Sequence, residues 1–152
     1  MSSNSNDVRL HRVLKAPPAR VYRAFVEADA LCQWLPPYGY TAKMHEFSAK
    51  VGGGYRMSFT NFANNQSHSF SVKFQELVPG EKICHTDQFD DPNLPEEMQV
   101  TILFRKVICG TEISILQENI PKQIPAEMCY LGWQESLLQL ARLVELEIPN
   151  SI

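Results

Sequence analysis

The chain has 152 residues, which is enough for one domain with a substantial core. Apolar residues make up 44% of the chain and charged residues 20%, as in an ordinary globular protein. Fourteen basic residues against seventeen acidic ones give a net charge of −3, and no basic cluster occurs. This balance argues against a nucleic-acid footprint, and the absence of a long apolar run argues against membrane insertion.

Four cysteines are scattered along the chain without a C-x-x-C pair, so neither a zinc knuckle nor a thioredoxin-type motif is indicated. Each has apolar neighbours, where a free thiol usually behaves as a small hydrophobe. Residues 1–7 are polar, lack the apolar core of a signal peptide and are predicted to be disordered. We therefore interpret the chain as a cytoplasmic protein with reduced thiols.

The first part of the chain predicts a strand followed by two short helices. Residues 8–14 alternate between apolar and polar side chains, as in a half-buried strand. A proline pair ends this strand and opens a helix, because proline is tolerated in the first helical turn. A second helix is predicted over 28–34, and it must end at Trp34 because Pro36 and Pro37 cannot continue it.

Six further strands are predicted from alternating side chains between turn signals. Gly52 to Gly54 form the most prominent turn, since glycine readily adopts the backbone angles of sharp turns. Pro79-Gly80 is a second turn, and 90–95 is a loop with two prolines. The predicted strands cover residues 40–47, 54–61, 67–78, 81–89, 98–107 and 111–117.

Residues 126–147 form the only long helical pattern of the chain. Its apolar side chains recur three or four residues apart: Tyr130, Trp133, Leu137, Leu140, Ala141 and Val144. A strand, two short helices, six meandering strands and one long helix make an α+β order rather than a βαβ repeat. An antiparallel sheet with one apolar face needs a cover, and only this last helix is long enough. No internal linker occurs, so residues 8–149 are predicted to form a single domain.

Four motifs carry a resemblance to a known superfamily. They are Trp34-Leu35-Pro36-Pro37-Tyr38-Gly39, Val51-Gly52-Gly53-Gly54-Tyr55-Arg56, Gly110-Thr111-Glu112 and Tyr130-Leu131-Gly132-Trp133-Gln134. In this order and spacing the chain resembles the single-domain SRPBCC proteins of the START-like superfamily, in the branch similar to the activator of the large heat-shock chaperone ATPase. The resemblance implies the helix-grip fold, in which a curved antiparallel sheet wraps around a long C-terminal helix. It also implies a pocket between sheet and helix for a small apolar or amphipathic molecule.

The chain departs from the pattern of this family at two places. Relatives usually carry Asp and Arg shortly before the glycine turn, whereas this chain has Ser48 and Lys50, so the ion pair expected there is missing or weakened. Many relatives have a histidine where this chain has Gln117, so a titrating role for that histidine cannot be transferred. Gln117 continues the inward parity of its strand, and we expect it to cap the strand end or to orient the polar group of a ligand.

Sequence alone does not separate the wall of a cavity from ordinary core. Trp34 could gate a pocket or anchor the end of its helix to the core. The second role is favoured, because most large aromatic side chains pack in the core. Gly132 beside Trp133 costs about 1 kcal/mol in a helix relative to Ala, which suggests close backbone approach or a bend with space beneath it. The predicted cavity residues are Trp34, Tyr55, Met57, Phe59, Phe104, Gln117, Trp133 and Leu137.

His85 and Asp87 are two residues apart on one predicted strand, so they share a face and could act as a base and its orienting carboxylate. Ile83 and Phe89 lie on the same face of this strand, and their apolar side chains favour an inward position for the pair. His45 and Glu46 are adjacent, so opposite faces are predicted for them. The common nucleophile and metal signatures are missing, and no cofactor is indicated.

The sequence therefore favours a non-catalytic module that binds a small hydrophobic or amphipathic molecule. An enzyme of the cyclase or hydrolase kind, using the same cavity, is one alternative. Another is an interaction protein resembling the chaperone ATPase activator, although such activators carry an additional binding domain that is not found in this chain. A homodimer is a possible assembly, and the fold alone does not choose among these functions.

Overall fold

The computed structural model describes residues 6–149, and in this range seven strands and three helices follow the predicted order. In chain order they are β1 (Val8–Leu14), α1 (Pro18–Phe25), α2 (Ala28–Trp34), β2 (Tyr40–Ser48), β3 (Gly54–Asn61), β4 (Ser67–Val78), β5 (Lys82–Phe89), β6 (Glu97–Val107), β7 (Gly110–Glu118) and α3 (Ala126–Val144). Each strand begins and ends within one residue of its predicted position. Alternation between turn residues was therefore sufficient to locate the strands.

The strands form one curved sheet in the order β1-β7-β6-β5-β4-β3-β2, and all neighbouring pairs are antiparallel. Strands β2 to β7 are simple meanders, whereas β1 pairs with β7, so that Val8 lies opposite Gln117. This pairing brings the start of the chain beside the segment that leads into α3. The α+β class and the helix-grip fold are confirmed.

Two β-bulges interrupt the alternation, one in β2 between Met44 and Glu46 and one in β4 between Phe74 and Glu76. At the first bulge His45 and Glu46 are both exposed. The prediction that they point to opposite faces is therefore wrong, because the extra residue of a bulge shifts the alternation locally. His45 Nε2 instead lies 2.9 Å from the hydroxyl of Ser58 on β3.

Helices α1 and α2 cover part of the inner face of the sheet. Phe104 on β6 packs edge-on against the rings of Tyr22 and Phe25, with centroid distances of 5.5 and 5.4 Å. Trp34 at the end of α2 is fully buried, and its Nε1–H donates to the carbonyl of Ala24 over 2.8 Å. Trp34 therefore anchors the end of α2 to α1, which is the role that the sequence favoured.

Helix α3 ends at Val144, earlier than the predicted range of 126–147. The carbonyl of Val144 instead accepts a hydrogen bond from the guanidinium of Arg20 over 3.0 Å. Tyr130 is 40% exposed, so the predicted apolar stripe is not buried along its whole length. The buried side chains of α3 are Ser136, Leu137, Leu140, Ala141 and Val144.

The segment before β1 is joined to the segment before α3 by specific hydrogen bonds. Asn6 Nδ2 donates to the carbonyl of Ile124 over 2.8 Å, and Asp7 Oδ1 accepts the backbone N–H of Asn119 at 3.2 Å. These bonds hold two of the seven residues for which the sequence predicts disorder, and that prediction stays untested. The first five residues lie outside the described part of the chain.

Candidate functional site

A cavity of about 370 Å³ lies between the sheet and the N-terminal half of α3. Apolar and aromatic side chains form most of its wall: Phe25, Leu31, Trp34, Leu35, Pro37, Phe59, Phe70, Phe74, Ile83, Phe89, Met98, Ile102, Ile124, Met128 and Trp133. The polar or titratable side chains on the wall are Tyr40, Tyr55, His68, His85, Asp87, Gln117, Cys129 and Ser136. The cavity is therefore mainly apolar, with a small number of polar groups.

Five of the eight predicted cavity residues lie on this wall: Trp34, Tyr55, Phe59, Gln117 and Trp133. The other three, Met57, Phe104 and Leu137, lie in the solid core, with exposures of 0%, 6% and 2%. Phe104 is covered by α1, and Leu137 belongs to the half of α3 that packs into the core. The alternation of side chains predicts that these residues are buried, but it does not show which part of the inner face the first two helices cover.

Strand β5 places His85 and Asp87 on the inner face, as their parity predicts. The two side chains are 9% and 18% exposed, and Nδ1 of His85 lies 2.5 Å from Oδ1 of Asp87. Because a carboxylate only accepts hydrogen bonds, this contact assigns the donor N–H to Nδ1. In the neutral ring Nε2 is then an acceptor, and it forms no hydrogen bond with a residue of the described range.

Tyr55 lies in the same row of the sheet as Asp87, two strands away. Tyr55 on β3 is paired with Val72 on β4, and Val72 is paired with Asp87 on β5. Burial, together with the negative charges of Asp87 and Cys32, raises the pKa of the Tyr55 phenol well above its usual value. The phenol is therefore neutral at ordinary pH and is able both to donate and to accept a hydrogen bond.

Gln117 joins the sheet, which forms the floor of the cavity, to α3, which forms its roof. Its Oε1 accepts the indole N–H of Trp133 on α3 over 2.8 Å, and its Nε2 donates to the sulfur of Met98 over 3.3 Å. The predicted role as a cap of the strand end is therefore wrong, whereas the predicted role in orienting the polar group of a ligand stays a prediction. The amide positions the Trp133 ring over the cavity.

Side chains of α3 also hold the chain that leaves α2. Ser136 Oγ donates to the carbonyl of Leu35 over 2.6 Å, and Gln139 Nε2 donates to the carbonyls of Trp34 and Pro36 over 2.9 and 2.6 Å. The last carbonyls of a helix have no partner within the helix itself, so these bonds satisfy groups that would otherwise be unpaired. They also fix one side of the cavity rim.

Gly132 lies on the cavity wall, and a β-carbon built there would contact no atom within 4 Å. The prediction of a close backbone approach at this glycine is therefore wrong. The other part of that prediction, space beneath the helix, agrees with the structure. Met128 and Cys129 also line the cavity but were not among the predicted cavity residues. They precede Gly132 and Trp133 by four residues, and this spacing, which places residues on the same face of a helix, could have predicted them.

His68 lies at the edge of the cavity among three aromatic rings, those of Tyr40, Phe59 and Phe89. His68 is exposed overall, but the surrounding rings remove part of the water from the charged imidazolium and thereby lower the pKa of His68. Burial likewise raises the pKa of the Cys129 thiol in the roof. Both groups are therefore biased toward their neutral forms, in keeping with an apolar site.

Within residues 6–149, no cluster of three or more His, Cys, Asp or Glu side chains could hold a metal ion. All four cysteines fall in this range and are free. None of the three described helices has the length and apolar character needed to cross a membrane.

Comparison with known proteins identifies the family. Residues 15–145 match the model of the family described as Activator of Hsp90 ATPase homolog 1-like protein. The chain belongs to this family. A search of curated proteins gave no match.

Solved structures of similar proteins include one from Chromobacterium violaceum, with 56% sequence identity and a TM-score of 0.92. The alignment covers 93% of this chain and 99% of that one. A protein from Rhodobacter sphaeroides is 19% identical, with a TM-score of 0.79 and 91% of each chain covered. A protein from Nitrosomonas europaea is 20% identical, with a TM-score of 0.76 over 91% of this chain and 93% of that one. At these lower identities the similarity concerns the fold alone.

Proposed function

We propose that this protein binds a small hydrophobic or amphipathic molecule in the cavity between the sheet and α3. The observation that supports the proposal most directly is a cavity of about 370 Å³ with a largely aromatic and aliphatic wall. Small-molecule sites in proteins are usually concave, mostly apolar and provided with a few polar groups that orient the ligand. The polar groups on β5 and β3 meet that last requirement.

Three of the residues that α3 contributes to the roof of the cavity are small, and this supports a binding role over a packing defect. Cys129, Gly132 and Ser136 are spaced three and four residues apart, so they share one face of α3, and all three line the cavity. Large apolar side chains at these positions would fill the space and add stability. The chain instead keeps a glycine in the helix, at a cost of about 1 kcal/mol relative to Ala.

Gly132 allows a direct test of this proposal. We expect N-phenyl-1-naphthylamine, a neutral dye that fluoresces in apolar surroundings, to bind the wild-type protein with saturation. Gly132→Leu should weaken dye binding by more than tenfold, because its side chain extends into open cavity space. Gly132→Ala is the matched control and should change the affinity by less than about threefold.

Circular dichroism and denaturant unfolding of each variant show whether the fold is retained. Lack of saturable dye binding by the wild-type protein would contradict the proposal. So would a folded Gly132→Leu variant that binds the dye as tightly as the wild type.

Interaction with a chaperone ATPase is a second candidate function, supported by the family match over residues 15–145. Saturable stimulation of the ATPase of an Hsp90-type chaperone by the wild-type protein would support it. The Gly132→Leu variant separates the two candidates, because a surface interaction should survive filling of the cavity. Turnover of a bound molecule, seen as product formation, would support a cyclase or hydrolase activity instead. The cytoplasmic location and a homodimer both stay predictions.

A further inference from the structure

The polar atoms on the cavity wall differ in whether they already have a partner. The side chains of Gln117 and Ser136 are engaged with Trp133, Met98 and a backbone carbonyl. Nε2 of His85 and the hydroxyl of Tyr55, in contrast, form no hydrogen bond with another residue in the range 6–149. The side chains of Tyr40 and His68 also lack such a bond, but they are less buried. Deep in the cavity a molecule therefore meets an unpaired acceptor on β5 and an unpaired hydroxyl on β3.

The contact between His85 and Asp87 determines what His85 offers a ligand. With its Nδ1–H donated to the carboxylate at 2.5 Å, the ring presents Nε2 as an acceptor. The same contact fixes the orientation of the imidazole ring, as carboxylates do for histidines in catalytic triads and metal sites. The pair therefore suits a ligand group that donates a hydrogen bond.

The charges on the wall narrow the ligand class further. None of the described lining residues is Lys or Arg, so an anionic ligand would face Asp87 without a compensating cation. An ammonium group only donates and would not use the Tyr55 hydroxyl as a donor; its burial in an apolar cavity also carries a large desolvation cost. A hydroxyl group is neutral, donates one hydrogen bond and accepts others, and so matches both unpaired atoms.

The aromatic side chains of the wall indicate what kind of molecule carries this hydroxyl. Phe59, Phe70, Phe74, Phe89 and Trp133 all contribute rings to the cavity. Aromatic side chains of this kind favour edge-to-face and offset contacts with another aromatic ring.

Building on the proposed binding function, we propose that the cavity selects an aromatic molecule with a hydroxyl group, which donates its hydrogen to Nε2 of His85 and accepts one from Tyr55. Asp87 acts as a positioning residue that holds the acceptor tautomer of His85. The ligand class is therefore phenol-like, and neither carboxylates nor amines with the same ring should bind as well.

Four naphthalene probes with one ring system and different substituents test this assignment by isothermal titration calorimetry. They are 2-naphthol, 2-methoxynaphthalene, 2-naphthoate and 2-(aminomethyl)naphthalene. We expect the wild-type protein to bind 2-naphthol at least tenfold more tightly than the methyl ether, because only the alcohol can donate a hydrogen bond. The carboxylate and the amine should bind more weakly than 2-naphthol.

Variants of the pair then assign the preference to named side chains. His85→Phe keeps a ring beside Phe74 but removes the acceptor, so the preference for 2-naphthol over the ether should disappear. Asp87→Asn keeps the shape and removes the charge, and the preference should fall severalfold. His45→Phe, at an exposed histidine of β2, is the matched control and should keep the wild-type preference.

The methyl ether serves as a measure of an intact cavity in every variant, because it does not depend on the acceptor. Equal binding of the alcohol and the ether by the wild type would overturn the inference. So would a wild-type preference in folded His85→Phe, or tighter binding of the amine or the carboxylate. If none of the four probes binds while N-phenyl-1-naphthylamine does, the ligand class is wrong and the proposed function stands. If that dye also fails to bind, both proposals are overturned.

Discussion

The glycine turn between β2 and β3 shows how two neighbouring glycines can be required for different reasons. Gly52 has a φ of +85°, in the left-handed region that side chains rarely adopt. Gly53 does not have a positive φ, but a β-carbon there would lie 2.7 Å from the carbonyl oxygen of Ser48 and 2.8 Å from its hydroxyl. Gly52 therefore supplies the unusual backbone angle that the turn needs, and the requirement for glycine at position 53 is one of space.

Replacement of Gly53 by Ala should lower the free energy of unfolding by about 1–3 kcal/mol, because a backbone atom must move to accept the β-carbon. Denaturant midpoints measure the change, with Val51→Ala as the control at an exposed position of the same turn. The loss should be the same at low and high salt, because Ser48 and Lys50 take part in none of the ion pairs among the described residues. An unchanged midpoint would show that the turn opens without cost.

His68 gives a prediction about pH. Since its pKa is lowered in the folded protein, the unfolded chain binds the proton more tightly, and stability present above about pH 6.5 is lost as the pH falls through the folded pKa. We expect His68→Gln to lose less stability than the wild type between about pH 7.5 and 5. Thermal unfolding at a series of pH values measures the difference. Parallel curves for the two proteins would contradict the role assigned to burial of His68.

At the scale of the elements, local pattern was sufficient for the strands and insufficient for the cavity. Alternation and turn residues place Tyr55, Met57 and Phe59 on one face of β3, and that prediction needs no information from elsewhere in the chain. Whether such a residue meets open space or another side chain depends on where α1, α2 and α3 dock, which is a long-range property. Phe104 illustrates this, since Tyr22 and Phe25 of α1 cover it.

The bulge in β2 and the end of α3 were missed for related reasons. An extra residue at His45 is compatible with the same sequence alternation on either side, so only the pairing with β3 reveals it. At the end of α3 the carbonyl of Val144 is bonded by Arg20, which lies more than 120 positions earlier in the chain. The His85 and Asp87 pair was predictable, in contrast, because two-residue spacing on a strand is a local relation.

The junction of α3 with the end of α2 allows a test of one such long-range contact. Gln139→Leu should lower the free energy of unfolding by about 1–3 kcal/mol, because the carbonyls of Trp34 and Pro36 would lose their partner. Gln134→Leu, at an exposed position of the same helix, is the matched control and should change stability by less than about 0.5 kcal/mol. Equal effects of the two variants, measured by chemical denaturation, would rule out a specific contribution from the amide of Gln139.

At the scale of the whole molecule, α3 has two halves with different tasks. Its C-terminal half packs Leu137, Leu140 and Val144 into the core and gives stability. Its N-terminal half lies over the cavity, where the small residues Cys129 and Gly132 leave open space. The hydrogen bond from Trp133 to Gln117 is therefore a specific polar link between this helix and the sheet at the edge of the cavity.

A double-mutant cycle measures that link. Trp133→Phe and Gln117→Leu each remove one partner and should each destabilise the protein by about 1–3 kcal/mol, partly because the remaining polar group is left unpaired. The double variant should be less destabilised than the sum of the single variants, with a coupling energy of about 1 kcal/mol or more. The pair Trp133→Phe and Gln139→Leu shares no hydrogen bond and should be close to additive. Additivity of the Trp133 and Gln117 variants would mean that roof and floor are stabilised independently, and the orientation of Trp133 over the cavity would then have to come from its apolar contacts alone.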